Sequence, residues 1–168
     1  MTLSMNKSIK LFTSLIKRTT YPLTCSHSKE HLIRQGEAYF TSGRTKGHAF
    51  CLPCGREMIV ASHEQLNALT RNLEAQVVGP IYITDPPNIS HTKPLRRLPR
   101  TIFKCEVRRA RKDQHCSGAK AHPIRRDQVF CFMVSHTGRE LYLCPQCARE
   151  IVTAAHEQLN ELMQALDQ

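Results

Sequence analysis

The sequence predicts a small α+β protein of two tandem metal-bound units, and three observations lead to this fold class. Residues 54–67 are repeated at 147–160 with nine of fourteen positions identical, so the chain contains one unit twice. Each copy opens on the second cysteine of a Cys-x2-Cys pair, and a Cys-x5-His pair precedes it. The chain has eight cysteines but only six phenylalanines and no tryptophan, which indicates that metal helps to complete each small core.

The spacing of the repeated pairs predicts a β-hairpin inside each unit. The first pairs lie 91 residues apart, at Cys25 and Cys116, whereas the second pairs lie 93 residues apart, at Cys51 and Cys144. A length difference confined to one interval is typical of a loop at a hairpin tip. We therefore expect each unit to run from a Cys-x5-His turn through a hairpin to the Cys-x2-Cys pair and a helix.

The repeated pairs have the chemistry of a structural zinc site. Zinc takes four sulfur or nitrogen ligands in a tetrahedron, and three cysteines with one histidine form a standard closed set. The second cysteine of each Cys-x2-Cys pair opens a helix, whose dipole stabilises the thiolate. An iron–sulfur group is the less favoured alternative for three thiolates. The sequence predicts two Zn²⁺ ions per chain, one held by Cys25, His31, Cys51 and Cys54 and the other by Cys116, His122, Cys144 and Cys147.

Other residues near the predicted ligands could also take part in these sites. Any of four histidines could substitute for a predicted ligand, namely His27, His48, His115 and His136. His27 is a rival to His31 as the ligand of the first unit, but Gly118 stands at its place in the second unit. Cys105 and Cys131 have no cysteine counterpart in the first unit, and whether Cys105 is a ligand stays open. Because Cys131 lies in the apolar run 129–134, we expect it to point into the core as a small hydrophobic side chain.

The order of the motifs resembles that of the treble-clef group of zinc-binding modules, including small phage and bacterial zinc-finger proteins. The resemblance is based on the Ile-x-x-Gly-Glu-x-Tyr pattern at residues 33–39 and the Ala-Arg-Lys sequence at 110–112. The resemblance implies a knuckle with two ligands, a β-hairpin, and a helix that begins at the second ligand pair. Here Cys-x5-His replaces the usual Cys-x2-Cys knuckle, and an Asp-Gln pair at 127–128 replaces the Gly-Glu pair of the first unit.

A long amphipathic helix is predicted after each Cys-x2-Cys pair, over residues 54–76 and 147–167. Each helix is longer than one small zinc unit can cover, so we expect the two to pack on each other or to meet a second subunit. The predicted contact faces consist of Ile59, Ser62, Leu66, Leu69 and Leu73 on the first helix and Ile151, Ala155, Leu159, Leu162 and Leu166 on the second.

Positive charge is concentrated outside the two units. The net charge of the chain is +10, to which residues 1–24 contribute +4 and residues 80–112 contribute +7. This asymmetry indicates an anionic partner, most often nucleic acid. The predicted segments are a basic amphipathic arm over 1–20, zinc unit 1 over 21–79, a basic proline-rich linker over 80–102 and zinc unit 2 over 103–168.

The arm and the linker have more than one interpretation. Ile9, Phe12 and Ile16 are spaced as on a helix, which suits a helix on the first unit, a nucleic-acid-binding arm or an organelle presequence. Prolines keep the linker extended along a phosphate backbone, although a solvated charge run is the alternative. The candidate phosphate-binding residues are Lys93, Arg96, Arg97, Arg100, Arg108, Arg109, Arg111 and Lys112.

The sequence predicts no enzyme. The repeated His-Glu-Gln-Leu-Asn sequence has Asn67 and Asn160 where a metalloprotease needs its second metal-binding histidine. Neither hairpin has the Asp-His pair of a His-Asn-His nuclease, and each unit is too short for a thioredoxin-like dithiol fold. A treble-clef nuclease is the third hypothesis, after the two binding functions.

The favoured function is a non-enzymatic zinc protein that binds nucleic acid or regulates through it. The alternative is a protein–protein adaptor, or a homodimer, that docks through its long helices. No apolar run of about 18 residues occurs, so no membrane-spanning helix is predicted. Thiols arranged for metal rather than for disulfides predict an intracellular location.

Overall fold

Two long helices and a set of short strands make up the described part of the protein, as the α+β prediction requires. The computed structural model describes residues 16–41, 48–81, 101–118, 122–135 and 138–168. Helix α1 spans Leu52–Glu74 and helix α2 spans Pro145–Leu166. The ten strands are β1 (Ile16–Arg18), β2 (Leu23–Thr24), β3 (Leu32–Ile33), β4 (Ala38–Phe40), β5 (Gly79–Pro80), β6 (Lys104–Arg109), β7 (Gln114–His115), β8 (Pro123–Ile124), β9 (Val129–Val134) and β10 (Glu140–Leu143).

All the strands pair in antiparallel fashion. One sheet has four strands in the order β10-β9-β6-β5, and three sheets have two strands each, namely β1-β4, β2-β3 and β7-β8. The hairpin predicted between the ligand pairs is β9-β10 in the second unit. In the first unit Phe40 and Phe50 form the equivalent bridge, exchanging two backbone hydrogen bonds of 2.8 Å.

The two units repeat the same strand register. Ile16 pairs with Phe40 in the first unit, and Val107 pairs with Cys131 in the second, at the constant offset of 91 residues. The helical spacing predicted in the arm does not hold at Ile16, because pairing with β4 makes this residue part of a strand. The remainder of the arm, residues 1–15, lies outside the described residues. So do linker residues 82–100, which include Lys93, Arg96, Arg97 and Arg100.

The turn that precedes β4 and β9 is the same in both units despite different residues. Gly36 (φ +83°) and Asp127 (φ +65°) both lie in the left-handed region, which glycine and aspartate adopt more easily than most residues. The backbone N–H of Gly36 donates to the Thr19 carbonyl oxygen, and that of Asp127 to the Ala110 carbonyl oxygen, at 2.8 Å in each case. The Asp-Gln replacement therefore leaves the path of the backbone unchanged.

The helices pack on each other, which confirms one of the two predicted arrangements. His63 in the middle of α1 contacts His156 in the middle of α2. Arg56 at the start of α1 bonds to the Leu166 carbonyl oxygen and to Asp167 at the end of α2. The helices therefore run antiparallel. Fully buried side chains at the predicted contact faces are those of Ile59, Ser62, Leu66, Leu69, Ala155 and Leu159.

Both helices begin two residues earlier than predicted. Their N-caps are Cys51 and Cys144, the first cysteine of each Cys-x2-Cys pair. A proline in the first turn of each helix explains the earlier start, since its missing N–H would have no intrahelical partner there. Both cysteines of each pair therefore lie on the first turn of a helix.

Helix α1 also fixes the described ends of the linker. The buried Ser62 hydroxyl donates to the Met58 carbonyl oxygen at 2.7 Å and accepts from the Ile102 backbone N–H at 2.9 Å. The Gln65 side chain donates to the Ile81 carbonyl oxygen at 3.5 Å. Strand β5, which follows α1, adds to β6 of the second unit. None of the helices in the described part of the chain is apolar and long enough to cross a membrane.

Candidate metal centres

The structure brings together all four residues predicted as ligands in the first unit. The ligand atoms of Cys25, His31, Cys51 and Cys54 all lie within 4.8 Å of one another. His31 Nδ1 is 3.5 Å from Cys51 Sγ and 3.4 Å from Cys54 Sγ. Three sulfurs and one imidazole nitrogen at these separations can surround a single metal ion.

The second unit groups three of its four predicted ligands in the same way. The ligand atoms of Cys116, Cys144 and Cys147 lie within 4.8 Å of one another. His122 is outside this mutual group but beside it, with Nδ1 3.2 Å from Cys147 Sγ and 3.8 Å from Cys144 Sγ. The cluster can hold a metal ion with the three thiolates as ligands.

Short hairpins hold the Cys-x5-His pairs in position. A hydrogen bond from the N–H of the cysteine to the carbonyl oxygen of the histidine closes each turn, at 2.9 Å in the first unit and 3.2 Å in the second. The next residue ties the turn to the segment before the helix. Ser26 N–H donates to the Ala49 carbonyl oxygen and Ser117 N–H to the Tyr142 carbonyl oxygen, both at 2.7 Å. The two ligand pairs of each unit are therefore joined by backbone hydrogen bonds.

Backbone donors and mutual crowding set the charge of the thiols. Burial acts to raise the pKa of Cys25, but backbone donors led by Cys51 N–H, 3.4 Å from its sulfur, outweigh burial and lower it. Burial, together with the neighbouring thiols, raises the pKa of Cys54 and of Cys147 far above the ordinary value. Crowded thiols of this kind ionise together when a cation lies among them, which is the chemistry of a structural metal site.

His27 lies next to the first cluster but has no equivalent in the second. Its Nδ1 is 3.3 Å from Cys54 Sγ and 4.0 Å from a Glu57 carboxylate oxygen, and these three residues form a further group of candidate ligands. A Cβ atom at Gly118 would lie 2.8 Å from Cys147 Cβ and 3.0 Å from Cys147 Sγ. Close approach to Cys147 therefore excludes a His27-like side chain from the second unit.

Cys105 and Cys131 lie inside the four-stranded sheet and not in the described metal clusters. Their exposed fractions are 1% and 0%, which confirms the prediction that Cys131 is buried as an apolar side chain. Burial raises the pKa of Cys131 to about 12 and also raises that of Cys105. Both are therefore neutral thiols of the core.

The predicted phosphate-binding residues within the described part of the chain line one cleft. Arg108, Arg109, Arg111 and Lys112 surround a cleft of about 770 Å³ at the end of β6. Arg126 completes the cationic rim, and sequence reasoning missed it. The position of Arg126 depends on the pairing register of β6 and β9. Pairing of Arg109 with Val129 brings the turn before β9 beside residues 111–112.

Neither a protein-family model, nor a curated protein, nor a solved structure matches the chain. The two Cys/His clusters, the helix pair and the cationic cleft therefore carry the functional conclusion.

Proposed function

We propose that each Cys/His cluster holds one zinc ion in a treble-clef-like unit, and that the protein binds nucleic acid without catalysing a reaction. The observation that carries the nucleic-acid part is the cleft at the end of β6. Among the described residues that line it, five are cationic and one, Asp127, is a carboxylate, while Arg108 also pairs with Glu106 beside the lining. A concentrated positive surface of this kind attracts the phosphates of nucleic acid.

The zinc part of the proposal is supported by donor type and by the order of elements. Thiolate and imidazole ligands suit zinc better than the oxygen-seeking cations magnesium and calcium. In the second unit, the ligand-bearing turn β7-β8 is followed by the hairpin β9-β10 and then by α2, the order expected of a treble-clef-like unit. With four sulfur and nitrogen ligands per ion, His122 being the fourth in the second unit, no position would be left for a substrate, and zinc would stabilise the fold of each unit.

The adaptor alternative has less support. It requires an apolar helix face that is open to a partner, whereas the apolar side chains of α1 and α2 are buried in one core, in which the helices pack on each other and on the strands. Large exposed hydrophobic side chains on the described parts of the two helices are limited to Val60, which is 49% exposed. A docking site for a second protein through the helices would therefore require the helix pair to open.

The metalloprotease interpretation also loses support from the position of the repeated histidines. His63 and His156 meet edge to edge between the helices, with their Nδ1 atoms 2.7 Å apart and their ring centroids 4.9 Å apart. Each of them is therefore engaged in the helix contact instead of facing a cleft where a substrate would bind.

Titration of the intact chain with a fluorescent random DNA duplex of about 20 base pairs tests the proposal. We expect binding whose log affinity falls linearly with log salt concentration, with a slope of about −0.9 for each phosphate contact. Affinity measured between 50 and 200 mM salt gives that slope directly. Absent or salt-insensitive binding would contradict the nucleic-acid proposal and favour the adaptor alternative.

A further inference from the structure

The cationic cleft occupies a position that exists in both units, because the strands and turns around it are repeated. The chain runs on from the end of β6 through residues 110–112, as it runs on from the end of β1 through residues 19–21. Arg109 Nη1 donates to the Asp127 carbonyl oxygen at 2.8 Å, and Arg18 Nη1 donates to the Gly36 carbonyl oxygen at 3.1 Å. The first unit therefore offers an internal comparison on the same backbone.

Two of the five cations are common to both units and have roles within the fold. Arg109 corresponds to Arg18, which makes the same hydrogen bond. Arg108 corresponds to Lys17; its guanidinium lies 3.6 Å from the centre of the Phe132 ring and its Nε donates to Glu106 at 2.8 Å. These two arginines hold the edge of the cleft in place.

The other three cations are found in the second unit alone. At the offset of 91 residues, Arg111, Lys112 and Arg126 correspond to Thr20, Tyr21 and Gln35 in the first unit. All three of these cationic side chains are exposed. Arg126 has a carboxylate oxygen of Asp127 at 3.8 Å, but this pair is on the surface, with both side chains at least 75% exposed. The second unit thus adds three solvated cations to this frame, together with the Asp127 carboxylate where the first unit has Gly36.

We propose that the cleft of the second unit is the site that binds the phosphate backbone of duplex nucleic acid, and that the first unit has no such site. This inference rests on the proposed function and assigns the phosphate contacts that distinguish the second unit to three residues, Arg111, Lys112 and Arg126. Charge complementarity favours a polyanion, since four cations besides Arg108, which is paired with Glu106, stand against one carboxylate among the described lining residues. A duplex fits better than a single strand, because Phe130 is the aromatic residue of the lining and is only 4% exposed, so bases have no ring on which to stack.

The repeat supplies substitutions that occur naturally at the equivalent positions. Arg111→Thr, Lys112→Tyr and Arg126→Gln together give these three positions of the second unit the residues of the first. The matched control removes three positive charges at exposed positions outside the cleft lining. Its substitutions are Lys29→Gln, Arg34→Gln and Arg139→Gln. Zinc content and the far-ultraviolet circular dichroism spectrum verify that both variants remain folded.

Both variants are titrated with the same random DNA duplex at 50 and 200 mM salt. Loss of three phosphate contacts should flatten the salt slope of the cleft variant by about 2 to 3 units. Between the two salt concentrations its affinity should then fall about 40-fold less than that of the unmodified chain. The control variant is expected to keep a slope within about one unit of the unmodified chain, since its charges lie away from the site.

Three outcomes separate this inference from the function on which it rests. Duplex binding by the unmodified chain with an unchanged slope in the cleft variant would overturn the cleft assignment and leave nucleic-acid binding intact. Equal flattening of the salt slope in the two variants would also overturn it, because the net charge of the chain, and not the cleft, would then explain the slope. No duplex binding by the unmodified chain would overturn the proposed function itself.

Discussion

At the scale of single residues, a residue that differs between the two units can have a contacting neighbour that differs as well. Gly55 on α1 lies against Phe40, so that a Cβ atom at Gly55 would be 2.8 Å from Phe40 Cβ. The second unit has Ala148 and Cys131 at the equivalent positions, and both are fully buried. The pair has therefore changed at both positions, and Cys131 belongs to the packing of the core, outside the described metal clusters.

Gly55→Ala is expected to destabilise the protein although alanine is the better helix former. The contact with Phe40 Cβ involves an atom close to the backbone, which cannot move aside easily, and overpacking of this kind costs about 1 to 3 kcal/mol. Urea unfolding of the zinc-loaded chain measures the loss. A Gly55→Ala chain that is as stable as the unmodified chain, or more stable, would contradict this account.

At the scale of elements, the contact between α1 and α2 has a histidine pair at its centre. The Nδ1 atoms of His63 and His156 are 2.7 Å apart, so one ring must donate its proton to the other. Burial lowers the pKa of both histidines, and repulsion from His63 lowers that of His156 further. The neutral pair therefore stabilises the helix contact, and its double protonation opposes that contact.

The direction of these pKa shifts determines how the free energy of unfolding depends on pH. Because both histidines protonate less readily in the folded chain, the unfolded chain takes up protons first as the pH falls below about 6.5. The contribution of the pair to stability should be complete above that pH and be lost progressively below it. We expect His156→Gln to reduce the fall in unfolding free energy between pH 7.5 and pH 5.5.

The comparison between the two proteins isolates the histidine pair. Both retain the eight candidate zinc ligands, so competition between protons and metal for the thiolates contributes equally to the two pH profiles. Parallel profiles for the unmodified chain and His156→Gln would show that the pair has no role in the pH dependence. Urea unfolding in the presence of a fixed free zinc concentration provides the measurement.

Sequence reasoning succeeded where a local pattern determines the element. The repeated cysteine and histidine pairs predicted the first cluster fully, and the apolar stripes predicted both helices to within two residues at their starts. It did not predict β1 or β5, which have three and two residues. Strands this short carry no periodicity of their own, and pairing with β4 and β6 decides their conformation. Arg126 was missed for the same reason, since its place depends on a long-range register.

At the scale of the whole molecule, the two units are joined by more than the linker. Strand β5, which follows the helix of the first unit, pairs with β6 in the sheet of the second. The helices of the two units share an antiparallel contact, and α1 bonds to both described ends of the linker. A single core results from two copies of a small unit, each of which would be marginal alone. Metal bound at either cluster is therefore expected to stabilise the whole chain.

The central claim is that two zinc ions are bound by the two repeated ligand sets, and native mass spectrometry of the intact chain tests it most directly. We predict two zinc ions per unmodified chain, one in Cys54→Ser and one in Cys147→Ser, because each substitution removes a thiolate from one cluster. Cys105→Ser serves as the control and should retain both ions, since Cys105 lies in the sheet core. An unmodified chain that carries no zinc, or equal zinc loss from Cys105→Ser and Cys54→Ser, would contradict the account.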